Sequence, residues 1–420
     1  MWEQIRSNQT RSAILVFGMG AVWLLLGFVF GLLTSYITPL DRFESVIYGI
    51  IFASVLWVFI TLAAYFHGDS ILLALSKAKK ISSNDLRRIY NIVEELKIAS
   101  GLETMPSIYI IDDPALNAFA VGRDPNKDAI IVTSGLLTKL NRDELQGVIG
   151  HEIAHIKNRD VLLMSLCITL LGTMNIVTWI FSPKRLLLFI GGLLLISPGL
   201  VIVAFGLMGG WGIMFNMWSL ITIFLFIPAL MLLMPFMAKL IYFAISRRRE
   251  YLADASSALY TRYPEGLASA LEKIAASTNQ LLSANPATAP IYIVNPFRKR
   301  GMAASDLTST HPPISERIRI LRSMAHVSYT DYDRAYRQIR GTDKSVIPAA
   351  AVASAGVVPM RAAMSEDLNH IQRARETTNV LWNLNNYKII SCLCGTRLRL
   401  PPSFKLSEVR CPHCGRMNSV

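Results

Sequence analysis

Two histidines four residues apart, His151 and His155, flank a glutamate in the segment HEIAH. On a helix, residues i and i+4 stack on one face, so both imidazoles can reach a single ion. Glu152, offset by one residue, can touch a water beside that ion without ligating it. That is the mechanical content of an H-E-x-x-H helix. The bland reading of such a pentapeptide is a partly exposed helix that happens to carry two histidines, so a third ligand decides its weight. Catalytic zinc takes three protein ligands and leaves a fourth position for water. Glu250, in RRREYLADA, is the candidate, and Asp254 follows four residues later on the same helical face. A ligating histidine normally donates its other ring N–H to a carboxylate, a role open to Asp254. Alone, Glu250 and Asp254 would read as a solvated face paired with Arg247, Arg248 and Arg249; beside HEIAH the metal reading prevails. Zinc in such a site supplies Lewis acidity. Glu152 would take a proton from water and pass it to a leaving amine, a contribution of typically 10²–10⁴-fold.

A second set of metal-type residues lies near the C-terminus. Cys392 and Cys394 precede Gly395, and Cys411 and Cys414 precede Gly415. Two turn-borne cysteine pairs can close a four-sulfur structural zinc site with no open position, and in so small a module the metal supplies much of the folding free energy. The C-x-C half is tighter than the common C-x-x-C, and His413 is an alternative ligand. Free thiols are the bland reading. The fifth cysteine, Cys167, sits in an apolar run and reads as inert.

These residues need elements to hold them. Residues 82–100 carry Leu86, Ile89, Ile92, Val93 and Leu96 on one face and stop at Gly101, which predicts an amphipathic helix. Strands are expected at Ser107–Ile111 and Asp128–Thr133, separated by turn-forming Asp112-Asp113-Pro114 and Asp124-Pro125-Asn126. The HEIAH helix should begin at Asn141, with Glu144 completing a capping box, and run on towards an apolar segment. Helices are expected over 264–277 and 313–324, each with proline in its first turn, joined by a polar loop.

The chain has 420 residues, 52% of them apolar, and a mean hydropathy of +0.39. Residues 12–40, 45–68, 161–183 and 186–238 contain no Asp, Glu, Lys or Arg. A span needs roughly 20 apolar residues to cross about 30 Å of hydrocarbon, so the protein is expected to be integral to a membrane. The first run is too long for a cleaved signal. The net charge of +13 is scattered along the chain, and much of it flanks the apolar runs, so no nucleic-acid role is expected. Its distribution puts both termini and the HEIAH segment on the cytoplasmic side of the inner (plasma) membrane. For His151, His155 and Glu250 to meet, an even number of crossings must separate them. Four transmembrane helices result, with a re-entrant segment over 186–210 and true spans near 161–182 and 218–244. A pairing of 161–182 with 186–208 is the alternative.

The expected organisation is a transmembrane hairpin over 1–68, a first catalytic part over 69–160, and a membrane region over 161–246. A second catalytic part over 247–344, a linker and extension over 345–388, and a zinc ribbon over 389–420 follow.

Taken together, these blocks resemble the HtpX-type membrane metallopeptidases, relatives of the CAAX prenyl endopeptidases. Asn117, Ala118, Phe119 and Ala120 match the family's NAFA segment; IVNPF at 293–297 and THPP at 310–313 with Arg317 match its late motif. The resemblance covers roughly residues 10–325 and implies a mainly α membrane protein with a small α+β zincin-like (gluzincin) catalytic domain. It implies that NAFA is a substrate-facing edge strand, to which an extended peptide adds through main-chain hydrogen bonds. It further implies that His311 stabilises an oxyanion, that Arg317 braces it, and that the substrates are damaged or misassembled membrane proteins. The long 184–217 insertion and the C-terminal extension depart from the family pattern. The competing readings are a catalytically idle zinc-binding membrane adaptor, against which the intact Glu152 argues, and a transporter, against which the lack of intramembrane charge argues.

Overall fold

The computed structural model describes residues 2–35, 41–122, 127–165, 167, 247–277, 279, 281, 291–293, 311–354, 356–364 and 368–420. The chain divides into one unit of Met1–Gln4, Ser70–Val161 and Arg247–Val420 and a second of Ile5–Asp69 and Leu162–Ser246.

The first two apolar runs make helices longer than their uncharged cores, α1 over Trp2–Thr34 and α2 beginning at Arg42 and ending at Leu75, most of both lying in the second unit. Arg6–Leu32 of α1 and the whole of α2 are long and apolar enough to cross a membrane. Large apolar side chains such as Phe17, Phe52 and Phe59 are exposed on them, as suits lipid contact. The two helices approach closely at Gly31, where an added Cβ would sit 2.6 Å from the Ser45 carbonyl oxygen; small residues let such backbones meet. Residues 36–40 and nearly all of the third and fourth apolar runs, with the expected re-entrant segment, lie outside the described residues.

The first unit holds a four-stranded sheet in the order β1-β2-β4-β3. Its strands are β1 (Lys79–Lys80), β2 (Ser107–Ile111), β3 (Ala118–Val121) and β4 (Ala129–Thr133). β4 is parallel to β2 and antiparallel to β3, and its Ile130, Ile131 and Val132 are wholly buried, as a continuous apolar central strand should be. Helix α3 covers Arg87–Ser100 and buries Ile89, Ile92, Val93 and Leu96. It starts later than the periodicity suggests, because Asp85 accepts hydrogen bonds from the Ser82 N–H and hydroxyl at 2.7 and 2.6 Å and closes a turn there. Gly101, at φ 67°, ends it. Short α4 (Ser134–Lys139) leads to α5, the HEIAH helix, over Arg142–Lys157. The capping box is present: the Asn141 side chain accepts from Glu144 N–H and the Glu144 carboxylate from Asn141 N–H, both at 2.9 Å. α5 does not run unbroken into the apolar segment. Arg159 adopts φ 58°, a left-handed conformation that interrupts the helical ladder, and helix resumes at Asp160.

After the fourth apolar run come α6 (Arg247–Thr261), α7 (Pro264–Ala276), α8 (Ile314–Arg322) and α9 (Tyr329–Arg340). The 345–388 stretch, expected as a linker and extension, carries two helices. It forms α10 (Ala349–Ser354) and α11 (His370–Leu384), the latter with its own Asn369/Gln372 capping box. Between them Arg361 donates to Asp143 and Gln146 of α5 at 2.7 and 2.8 Å and to the Thr261 carbonyl at 2.9 Å. The extension is therefore fastened to the start of the HEIAH helix by hydrogen bonds that no local sequence pattern reveals. Two antiparallel hairpins end the chain, β5 (Lys388–Ser391) with β6 (Arg397–Leu400) and β7 (Glu408–Arg410) with β8 (Met417–Ser419).

Candidate metal centre

α5 and α6 bring the three expected ligands together. Close packing around α5 is possible because Gly147 has no side chain: a Cβ there would lie 2.6 Å from the backbone nitrogen of Leu267 in α7. On its α6 side, the Ser257 hydroxyl donates to the Gly147 carbonyl at 2.7 Å. The Nε2 atoms of His151 and His155 lie 3.1 Å apart, and each is 3.6 Å from a carboxylate oxygen of Glu250. The outward-facing Nδ1 atoms are both taken by acids. His151 Nδ1 lies 3.0 Å from Asp254, and His155 Nδ1 lies 2.9 Å from Asp160. With Nδ1 protonated towards those acids, both Nε2 lone pairs and a carboxylate face one point. Two imidazole nitrogens and a carboxylate within 4.8 Å of one another are the donor set of a catalytic zinc site with a position to spare.

A buried arginine locks this arrangement. Arg317 of α8 grips Asp254 with two hydrogen bonds, at 2.8 and 2.6 Å, and donates to the Ile293 carbonyl at 3.2 Å. It also lies 3.8 Å from Glu250. Arg317 thus braces Asp254 and, through it, His151, in the bidentate geometry that suits a carboxylate. The Tyr332 hydroxyl of α9 approaches Asp254 at 3.5 Å.

Electrostatics follow from burial and charge. Burial raises the Glu152 carboxyl pKa against the pull of His151 and His155, the direction a proton acceptor requires. Burial opposes ionisation of Glu250, yet His311, His151 and His155 hold it well below the usual carboxylate range. His151 resists charging through burial, but Asp254 and Glu250 push it up to about 9. Burial presses His311 down to about 4 despite Glu250, so its ring is neutral near pH 7 and able to donate one hydrogen bond.

NAFA lies where expected in part. β3 is an edge strand of the sheet, but all four of its residues are buried. Ile293 N–H donates to the Ala118 carbonyl at 3.1 Å, and the Tyr292 ring meets Phe119 edge-on at 5.1 Å between centroids. The rest of IVNPF, and Thr310, lie outside the described residues. Asp160, Tyr332 and the Ile293 carbonyl escape sequence reasoning. Only Asp160 leaves a trace, as an acid just past the end of the histidine helix.

At the C-terminus the four sulfurs of Cys392, Cys394, Cys411 and Cys414 lie within 4.8 Å of one another, with no disulfide among them. Cys392 and Cys414 are 3.5 Å apart, and Cys394 and Cys411 are 3.7 Å apart. Tetrahedral zinc with bonds of about 2.3 Å requires sulfurs roughly 3.8 Å apart, so the cluster fits. His413 is exposed and outside this group. Hydrogen bonding to Thr396 draws the Cys394 thiol down to about 5, towards the thiolate that binds metal.

Residues 83–325 match the model of peptidase family M48. The chain is similar to Protease HtpX homolog of Dictyoglomus turgidum, 41% identical over 329 residues that cover 77% of this chain and 94% of that one. A second Protease HtpX homolog, from Syntrophobacter fumaroxidans, is 41% identical over 66% of this chain and 90% of its own length. An alignment to the crystal structure of S. mikatae Ste24p covers 76% of this chain and 67% of that one. Its 18% identity and TM-score of 0.37 are too slight a likeness to inform the fold.

Proposed function

The chain belongs to peptidase family M48 and is a membrane-anchored zinc metalloprotease, and from that premise we propose that it is an endopeptidase clearing damaged or misassembled membrane proteins. The observation that supports the site assignment is the convergence of both Nε2 atoms and the Glu250 carboxylate on one point. In this reading His151, His155 and Glu250 hold the catalytic zinc. When bound, zinc acidifies water and polarises a carbonyl. Glu152, buried and raised in pKa, accepts the water proton and delivers it to the leaving amine. Asp254 and Asp160 fix the two rings in the tautomer that leaves Nε2 free, and Arg317 holds Asp254 in place. Neutral His311 donates to the developing oxyanion.

The substrate enters as an extended strand along β3, pairing with the Asn117–Ala120 edge where Ile293, bonded to the Ala118 carbonyl, leaves main-chain groups open. Four spans, a multi-pass position in the plasma membrane and a cytoplasmic catalytic face complete the proposal, with a second, structural zinc in the cysteine cluster. Casein cleavage and zinc content, measured together on purified full-length protein, test it. Wild type should cleave and carry two zinc ions. Glu152→Gln should keep both and lose 10²–10⁴-fold in rate, and His151→Ala should keep one. Undiminished cleavage by Glu152→Gln would remove Glu152 from the mechanism.

A further inference from the structure

Basic residues that are scattered along the sequence meet at one place in the fold. Residues 388–420 contain six Lys/Arg against a single acid, Glu408. Where the first cysteine turn meets α11, a cleft of about 680 Å³ is lined by Arg375, Arg397 and Arg399 together with Gln372, Asn379 and Glu376. The one acid there, Glu376, faces Arg88 at 3.8 Å. Among the described residues no carboxylate comes within 4.0 Å of Arg375, Arg397 or Arg399, and all three are exposed. Arg399 is held over the Trp382 ring at 5.2 Å. Three arginines around one cleft, against the single carboxylate of Glu376, leave an excess of positive charge suited to an anion.

The fold also says where that site lies along the chain. The Asn385 side chain, at the end of α11, accepts a hydrogen bond from Lys79, which also donates to the Leu384 carbonyl at 3.4 Å. Lys79 is four residues past Leu75, where the membrane-competent helix α2 ends, and four residues of chain reach at most about 14 Å. Lys77 and Lys80 add charge at the same place. Beside the arginines, Leu393 at the tip of the first cysteine turn is 85% exposed, and Leu406 in the loop after β6 is 68% exposed. Exposed leucines among cations suit an interface of headgroups over acyl chains better than a nucleic acid or an acidic peptide.

We propose that the cysteine module and α11 form a docking surface for anionic phospholipid headgroups, with a lipid phosphate seated among Arg375, Arg397 and Arg399. The bilayer that anchors the protein supplies this ligand at high local concentration, and each basic side chain at such a surface strengthens binding by about fivefold.

Full-length protein in nanodiscs of phosphatidylcholine, with and without phosphatidylglycerol, tests this by hydrogen exchange of residues 372–379 and 393–400. Exchange should slow in the anionic discs, and salt should reverse the effect. Arg375→Glu, which lies outside the cysteine module, should weaken the protection at least about fivefold. Arg375→Glu/Arg397→Glu/Arg399→Glu should abolish it with zinc content unchanged. Equal exchange in both discs overturns the proposal. Equal protection by free glycerol phosphate in neutral discs also overturns it, as a phosphate site without a surface. So does protection by an RNA oligomer or an acidic peptide where the anionic lipid gives none.

Discussion

The histidine–glutamate site and the cysteine cluster differ in what surrounds their ligands. His151, His155 and Glu250 stand on two packed helices, each ring is held by its own acid, and Arg317 is wholly buried behind them. The cysteines stand on two hairpins of three- and four-residue strands. Their core, beyond Cys392 and Cys411 themselves, is Leu398 with Ile390 and Val409 packed against it. One site is a frame that can persist without metal; the other is a fold that metal must complete.

Metal removal sharpens that contrast most. Binding of structural zinc is worth roughly 10–16 kcal/mol in small cysteine modules. Chelation should therefore strip hydrogen-exchange protection from residues 388–420 while α5 and α6 stay protected. Equal loss in both regions would erase the distinction. Arg317→Met attacks the frame itself. Leaving the Asp254 carboxylate buried and unpaired should cost about 3–5 kcal/mol, seen as a lower unfolding midpoint of the catalytic unit with the cysteine zinc retained. Asp160→Asn, which loosens the His155 ring and also removes a charge 3.9 Å from Arg249, should weaken catalytic zinc about 10–100-fold, measurable by competition with a chelating dye. The mildest test is protonic. Although burial opposes it, Asp254 and Glu250 push the His151 pKa up to about 9, which favours a charged ring at pH 7 that must lose a proton to bind zinc. Calorimetry in buffers of different ionisation enthalpy should detect about one proton released from this site, and affinity should rise with pH until about 9.

Legibility in the sequence follows the range of the interaction. HEIAH, its capping box, β2 and the cysteine pairs are local patterns, and each element forms where its own residues dictate. Glu250 and Asp254 are legible only because their four-residue spacing matches a chemical need already set by the histidines. Asp160 reaches His155 only because Arg159 turns the chain at φ 58°, and nothing about an arginine announces a left-handed residue. Ala/Val-rich 345–364 reads as a linker because its stabilising contacts are distant ones, above all Arg361 on Asp143 and stacked on the Tyr263 ring at 4.9 Å. The arginine cleft is invisible for the same reason, since Arg375 and Arg397 are 22 residues apart and meet only when a hairpin folds back on α11.

X-ray absorption at the zinc edge of a Cys411→Ser/Cys414→Ser protein would examine the histidine–glutamate site alone. A single zinc with nitrogen and oxygen neighbours, two of them imidazoles, and no sulfur is the predicted spectrum. Sulfur in the shell, or a protein that holds no zinc yet still cleaves casein, would contradict the assignment of His151, His155 and Glu250.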